Sequence, residues 1–160
     1  MLIELIKAEY SDLNAEIYVR WLTDPEVNKY LMAGNFTLEE EKKWLRDILK
    51  NPNEELFNIF ADRKLIGNMG VHNLQNPEKF FEIGIMIGEK EYWDKGCGTE
   101  AIKQMLKHLF EEKNAAKIYL RVRIENDRAI KCYEKCGFKI AASEKNSKGE
   151  DDYIMEILGR

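Results

Sequence analysis

Long apolar runs are missing from this chain. No stretch approaches the roughly 20 residues that a membrane-spanning helix needs, so no membrane partner is expected. The first residues, MLIELIKAEYSDLN, contain acids and no small-residue cleavage pattern, so no secretory signal is read there. Histidine is scarce. His72 and His108 are the two that occur, no spacing joins either to a cysteine cluster, and no metal is expected. The three cysteines are an odd count, with Cys132 and Cys136 one helical turn apart. They read as reduced thiols of a cytoplasmic protein. There is no basic surplus either: the net charge of −4 argues against a nucleic-acid partner and permits a cationic ligand without identifying one. Internal repeats, low-complexity segments and linkers do not occur. The phosphate-binding pattern G-x-x-x-x-G-K-[ST] is also absent, which leaves nucleoside triphosphate hydrolysis unsupported.

What the 160 residues do contain suits one domain, residues 1–160, with a real core: 44% are hydrophobic and 34% charged. IELI reads as a first strand. Asp12 to Leu22 follows at helical spacing (Leu13, Ile17, Trp21), and TDPEV restarts a helix with Pro25 in its first turn. In TLEEEKKWLRDILK, Thr37 and Glu40 form a capping box. Leu38, Trp44, Leu45, Ile48 and Leu49 supply a buried stripe, and Asn51-Pro52 is the stop. LFNIFAD, LIGNMGVHNL and FFEIGIMIG are three strands with links short enough for antiparallel hairpins. A helix from about Cys97 to Lys113 buries Ala101, Ile102, Met105, Leu106, Leu109 and Phe110 and turns Lys103, Lys107, His108 and Glu111 outward. KIYLRVRIE is a strand. NDRAIKCYEKCGF is a short helix capped by Asn126 and ended by Gly137, and FKIAASE and DYIMEIL close the chain as strands. The fold class is α+β, with a mixed, mostly antiparallel sheet of about seven strands flanked by helices.

The segment EYWDKGCGTEAI calls for explanation, because Gly96 and Gly98 loosen the backbone directly before a helix start. A helix start offers unpaired N–H groups and the positive end of a dipole, and glycine lets an anion come close to both. Lys95, Gly96, Cys97, Gly98 and Thr99 therefore read as a phosphate cradle, with a hydroxyl from Thr99 and a charge from Lys95. GCGTEA also fits the dinucleotide pattern G-x-G-x-x-A. That pattern wants its glycines straight after the strand and parallel units from the outset; here EKEYWDK intervenes and the chain opens with helices and hairpins.

The chain resembles the GNAT superfamily of acyl-CoA-dependent N-acyltransferases over nearly its whole length. EIGIMIGEKEYWDKGCGTEAI is similar to that family's pyrophosphate motif with its preceding strand. NDRAIKCYEKCGF is similar to its second motif, and WLTDPEVNKYL to the branch of the ribosomal-protein-alanine and spermidine acetyltransferases. One departure stands out. Where the family places Gln or Arg three residues before the first glycine, this chain has Trp93, which shifts weight to Lys95.

The resemblance implies a fold of that family and direct transfer of acetyl from acetyl-CoA, without a metal, to a primary amine. Protein N-termini, polyamines, aminoglycosides and small metabolites all remain open as acceptors. It implies that the pyrophosphate sits on Lys95 to Thr99, and that the amide-bearing arm of the donor pairs with Ile85, Met86 and Ile87, where an N–H could stabilise an oxyanion. Asn126, a helix cap on residue type, gains a contact to that arm. Tyr133, a core tyrosine by position, becomes the general acid for the departing thiolate. For the base, Glu82 shares a strand face with Gly84 and Met86, and Gly84 leaves room beside its carboxylate. His72 is the alternative, and the run Glu39-Glu40-Glu41 reads as helix N-terminal charge that could also attract a cation. A homodimer rests on family habit alone. The rival readings are a dinucleotide-binding oxidoreductase domain and a CoA-binding module without activity.

Overall fold

The computed structural model describes residues 1–31 and 36–159. Seven strands form one sheet: β1 (Ile3–Lys7), β2 (Glu54–Ala61), β3 (Lys64–His72), β4 (Phe80–Ile87), β5 (Lys117–Arg123), β6 (Lys139–Lys145) and β7 (Asp151–Leu158), in the order β1-β2-β3-β4-β5-β7-β6. The first four are joined antiparallel. The β2–β3 hairpin turns on Asp62 and Arg63, both with positive φ, as a tight turn between right-twisted strands requires. β4 and β5 are the one parallel pair, and β5, β7 and β6 continue antiparallel.

Four helices cover the two faces: α1 (Asp12–Leu22) and α2 (Leu38–Lys50) on one, α3 (Cys97–Lys107) and α4 (Asp127–Lys135) on the other. Strand alternation divides the sheet between them. Phe57, Ile59, Met69, Val71, Ile83, Ile118, Leu120 and Met155 pack under α3 and α4. On the opposite face Leu56 joins Tyr18, Trp21, Leu45 and Ile48 beneath α1 and α2. Asn58 and Asn68 are buried polar residues of the sheet there, and Asn58 accepts a hydrogen bond from the Tyr18 hydroxyl. No helix among the described residues is long and apolar enough to cross a membrane.

Thr37 caps α2, its hydroxyl accepting from Glu40 N–H at 3.2 Å, which is the Thr37 half of a capping box. The α3 stripe is buried as its spacing implies. Three local expectations are corrected. TDPEV makes turns, not a helix. Thr23 Oγ1 bonds back to Val19 O at 2.8 Å, Asp24 accepts from Glu26 N–H, and Lys90 holds the Asp24 and Glu26 carboxylates, so side chains take over the backbone's role. α3 is α-helical only to Lys107 and finishes in a wider π turn over His108–Glu112, where His108 meets Glu112 at 2.8 Å. His108 is half-buried against the Phe57 ring instead of turning outward. The inward faces of α1 and α2 are also rotated. α1 buries Ala15, Tyr18 and Trp21 and exposes Leu13. α2 buries Glu41, Leu45 and Ile48 and exposes Trp44 and Leu49.

Candidate active site

Gly96 sits at φ +80, a left-handed conformation that a side chain would strain, and it starts α3 without any side-chain cap. The first intrahelical bond comes from Glu100 N–H to Gly96 O at 3.0 Å. Among the described residues the N–H groups of Cys97, Gly98 and Thr99 have no protein partner, which is the condition for holding an anion. A Cβ on Gly96 would meet nothing within 4 Å, and one on Gly98 only Cys132 Sγ at 3.7 Å, so space lies over the cradle. Cys97 itself points into the core. Burial raises its thiol pKa despite the nearby Lys95, which removes the reactivity a helix start can confer. The Lys95 ammonium lies 5.8 Å from the Tyr92 ring centre, and the residue lines a smaller surface recess with Met1–Ile3, not the main cavity.

The sheet itself opens beside this cradle. β4 and β5 pair only from Phe80 to Glu82 against Lys117 to Tyr119, after which β4 stays with β3 and β5 with β7. The edge of β4 from Ile83 to Ile87 is thereby left without a strand neighbour on that side. A cavity of about 1080 Å³ runs through the opening, and its walls include core residues from both faces of the sheet, among them Val122 and Tyr133 on one side and Ile48 and Leu56 on the other. Ile85, Met86, Ile87, Gly96, Cys97, Gly98, Thr99, Asn126 and Tyr133 all line it. The structure thus brings the expected donor-binding residues together, Lys95 excepted.

Tyr133 is 8% exposed, and its ring stands edge-on to Phe138 at 6.2 Å. Its hydroxyl has no hydrogen-bond partner among the described residues. Burial, seconded by the Cys132 and Cys136 thiols, holds its pKa far above the ordinary tyrosine value, so it is a phenol with a proton to give. Cys132, one residue away, lies 3.3 Å from the Thr99 hydroxyl, while the Cys136 thiol donates to Thr99 O at 3.7 Å; with these groups beside it, Cys132 is the more acidic of the two thiols. Asn126 caps α4 by accepting from Ala129 N–H at 3.4 Å.

Glu82 lies at the last paired step of β4, just before the opening. Its carboxylate is 3.4 Å from Arg121 Nε, and it is not among the residues lining the cavity. His72 does line the cavity, with Nδ1 at 2.7 Å from Glu54.

Two features escaped the sequence reading. Trp93 donates its indole N–H to Ile87 O at 2.8 Å, closing the end of β4, and the Arg128 guanidinium stacks on its ring at 3.8 Å. The residue that departs from the motif therefore recruits a cation from α4, and both line the cavity. The second is Glu41. Of three consecutive glutamates, Glu39 and Glu40 are exposed while Glu41 is 7% exposed and faces the cavity. A helical wheel anchored on Leu45 and Ile48 places position 41 on the same face, a signal that was present and masked by the acidic run.

Residues 3–139 match the family model described as "Acetyltransferase (GNAT) domain". An uncharacterized N-acetyltransferase, p20, of Bacillus licheniformis is 26% identical over 98% of this chain and 92% of its own length. The acetyltransferase PseH of Campylobacter jejuni is 23% identical over 86% of each. Among solved structures, the spermidine N-acetyltransferase of Vibrio cholerae in complex with CoA and spermine shares the fold at a TM-score of 0.84 and 24% identity, over 98% of this chain and 95% of that one.

Proposed function

This chain belongs to the GNAT acetyltransferase family, and on that premise we propose that it transfers acetyl directly from acetyl-CoA to a primary amine. The observation that carries this reading is the opening between β4 and β5, which places an uncapped helix start and a buried phenol in one cavity spanning both faces of the sheet. In this reading the donor's pyrophosphate lies on the N–H groups of Cys97, Gly98 and Thr99. Arg128, Lys131 and Lys135 on α4 also line the cavity, and none has an ion-pair partner among the described residues, so they add positive charge beside that end. Ile85 and Met86 offer backbone groups to the donor's amides. Ile87 offers less, since its carbonyl is taken by Trp93. Asn126 orders the start of α4 and faces the same arm.

The chemistry asks little more of the protein. The amine nitrogen forms the new C–N bond, the C–S bond breaks, and Tyr133 gives its proton to the departing sulfur. The phenolate regains a proton from the second hydrogen of the attacking nitrogen through cavity water. Glu82 has the role of partner to Arg121 in this account, and a contribution to deprotonation is tested by replacing it. The named relatives act within the same class: the Vibrio cholerae protein is a spermidine N-acetyltransferase, and a further structure of this fold is an aminoglycoside acetyltransferase in complex with coenzyme A.

The test is a thiol-release screen with acetyl-CoA against polyamines, amino sugars and short peptides, beside thermal melting with acetyl-CoA and with NAD. Acetyl-CoA should raise the melting temperature in proportion to the logarithm of its concentration, and at least one amine should release thiol. Stabilisation by NAD alone would overturn the reading in favour of dinucleotide binding. Acetyl-CoA binding with no thiol release from any amine would reduce the protein to a binding module.

A further inference from the structure

Glu41 occupies a place where a charge is costly and no group among the described residues offsets it. It lies on the inward face of α2 with Leu45 and Ile48, nine-tenths buried, and it lines the cavity. Its carboxylate has no hydrogen bond and no ion pair among the described residues. The α1–α2 side of the cavity is lined by Glu26, Tyr30, Glu40, Glu41, Trp44 and Ile48, among others, and by no lysine or arginine. Glu26 is engaged by Lys90 at the rim, at 3.2 Å, which leaves Glu41 as the deep acid. The helix start does not require it, since Glu39 and Glu40 already supply negative charge there. Tyr18, close to Glu41, gives its hydrogen to Asn58, so that hydroxyl does not donate to the Glu41 carboxylate. A buried carboxylate without a partner calls for a cation from outside.

We propose that Glu41 seats the ammonium of the acceptor and takes its proton, and that the acceptor is a primary alkylammonium whose apolar stem lies along Trp44, Ile48 and Leu56. The inference rests on the acetyltransferase reading and names its acceptor side. One proton passes from R–NH3+ to the carboxylate, giving R–NH2 and neutral Glu41. The freed lone pair then forms the C–N bond. Trp44 lines the way in, and Tyr30, whose ring already carries the Lys29 ammonium at 5.2 Å, reaches across to Glu125 O at 3.3 Å, tying the α1–α2 connection to the start of α4. Burial pushes the Glu41 carboxyl up to about 7, which matches a base that must accept a proton from a bound ammonium and release it at neutral pH. Tyr18 from α1, pushed up by burial to about 12 and so neutral throughout, is close enough to feel the Glu41 charge, and His72 from β3, paired with Glu54, lines the same cavity.

The experiment compares wild type with Glu41→Gln, using acetyl-CoA and spermidine, with an alanine-initiated tetrapeptide as second acceptor. Spermidine kcat/KM at pH 7 should fall by about 10²-fold or more in the variant, within the range of a lost general base. The loss should shrink toward pH 10, where free amine is abundant. Acetyl-CoA binding by calorimetry should stay within about twofold. Spermidine alone should raise the melting temperature of wild type and not of Glu41→Gln, a readout that needs no turnover. The wild-type rate should show an acidic limb near pH 7 that persists in His72→Asn and vanishes in Glu41→Gln. Thiol release from spermidine unchanged within about threefold, or a limb that follows His72, would overturn the assignment. Activity confined to the peptide would overturn the alkylammonium class. Wild type that binds acetyl-CoA and acetylates no amine would instead refute the acetyltransferase reading beneath it.

Discussion

The two ends of the cavity are built from different materials. At the α3–α4 end the recognition groups are backbone N–H groups, a glycine without a side chain, and three cations of α4 free of ion pairs. At the α1–α2 end they are side chains, one buried carboxylate among aromatic and aliphatic walls. The first end suits an anion, because backbone N–H groups hold one whatever the side chains are. The second suits a cation, and its identity depends on which side chain each helix turns inward. The two ends carry opposite charge, which under the proposed reaction would sort a polyanionic donor from a cationic acceptor on either side of Tyr133.

The sharpest way to break this comparison is Gly98→Glu. A Cβ there meets only Cys132 Sγ at 3.7 Å and the rest of the side chain enters the cavity, so the fold should survive while bulk and charge fill the anion seat. Acetyl-CoA binding should weaken by at least about 100-fold, roughly 3 kcal/mol, by calorimetry. Retained binding would place the donor elsewhere.

Glu41→Gln tests the opposite end through stability. In wild type the native carboxyl titrates near 7 against an ordinary 4.5, so between those values the folded state holds more protons than the unfolded one. Wild-type stability should therefore drop as pH rises from about 4.5 to about 7, by up to about 3 kcal/mol, and stay low above. The variant should lose that slope and be the more stable protein at pH 8 in denaturant titrations. An identical slope in both would show that Glu41 is paired or hydrated in the folded protein.

Tyr133→Phe keeps the ring against Phe138 and removes one hydroxyl that bonds to no described residue. Its kcat should fall about tenfold or more while acetyl-CoA affinity holds, because the proton is needed only as sulfur leaves. An unchanged kcat would leave Tyr133 as core alone. Arg128→Ala should weaken acetyl-CoA about three- to tenfold, on the order of 1 kcal/mol, with the loss reduced in high salt. Glu82→Gln is the mildest: less than about threefold in kcat/KM at neutral pH, with Arg121 still able to reach Glu144. A large fall that recovers at high pH would hand the base back to Glu82.

The sequence by itself determined most element types, the α+β class and the glycine loop that starts α3, since these depend on local rules. Alternation marks β5, short links pair β2 to β4, Thr37 caps α2, and two glycines before an amphipathic run leave a helix start open wherever that run packs. The same local rules misjudged TDPEV, where bonds from Thr23, Asp24 and Lys90 decide against a helix. They also misplaced the faces of α1 and α2, because a run of mixed residues fits several helical stripes and only packing on β2 selects one. Tertiary structure alone decided that β4 and β5 part after three residues, that Trp93 closes β4 and carries Arg128, and that one glutamate of three is driven inside. The reason is physical. A side chain's burial and partners are set by residues distant in the chain, and so is the pKa that follows from them.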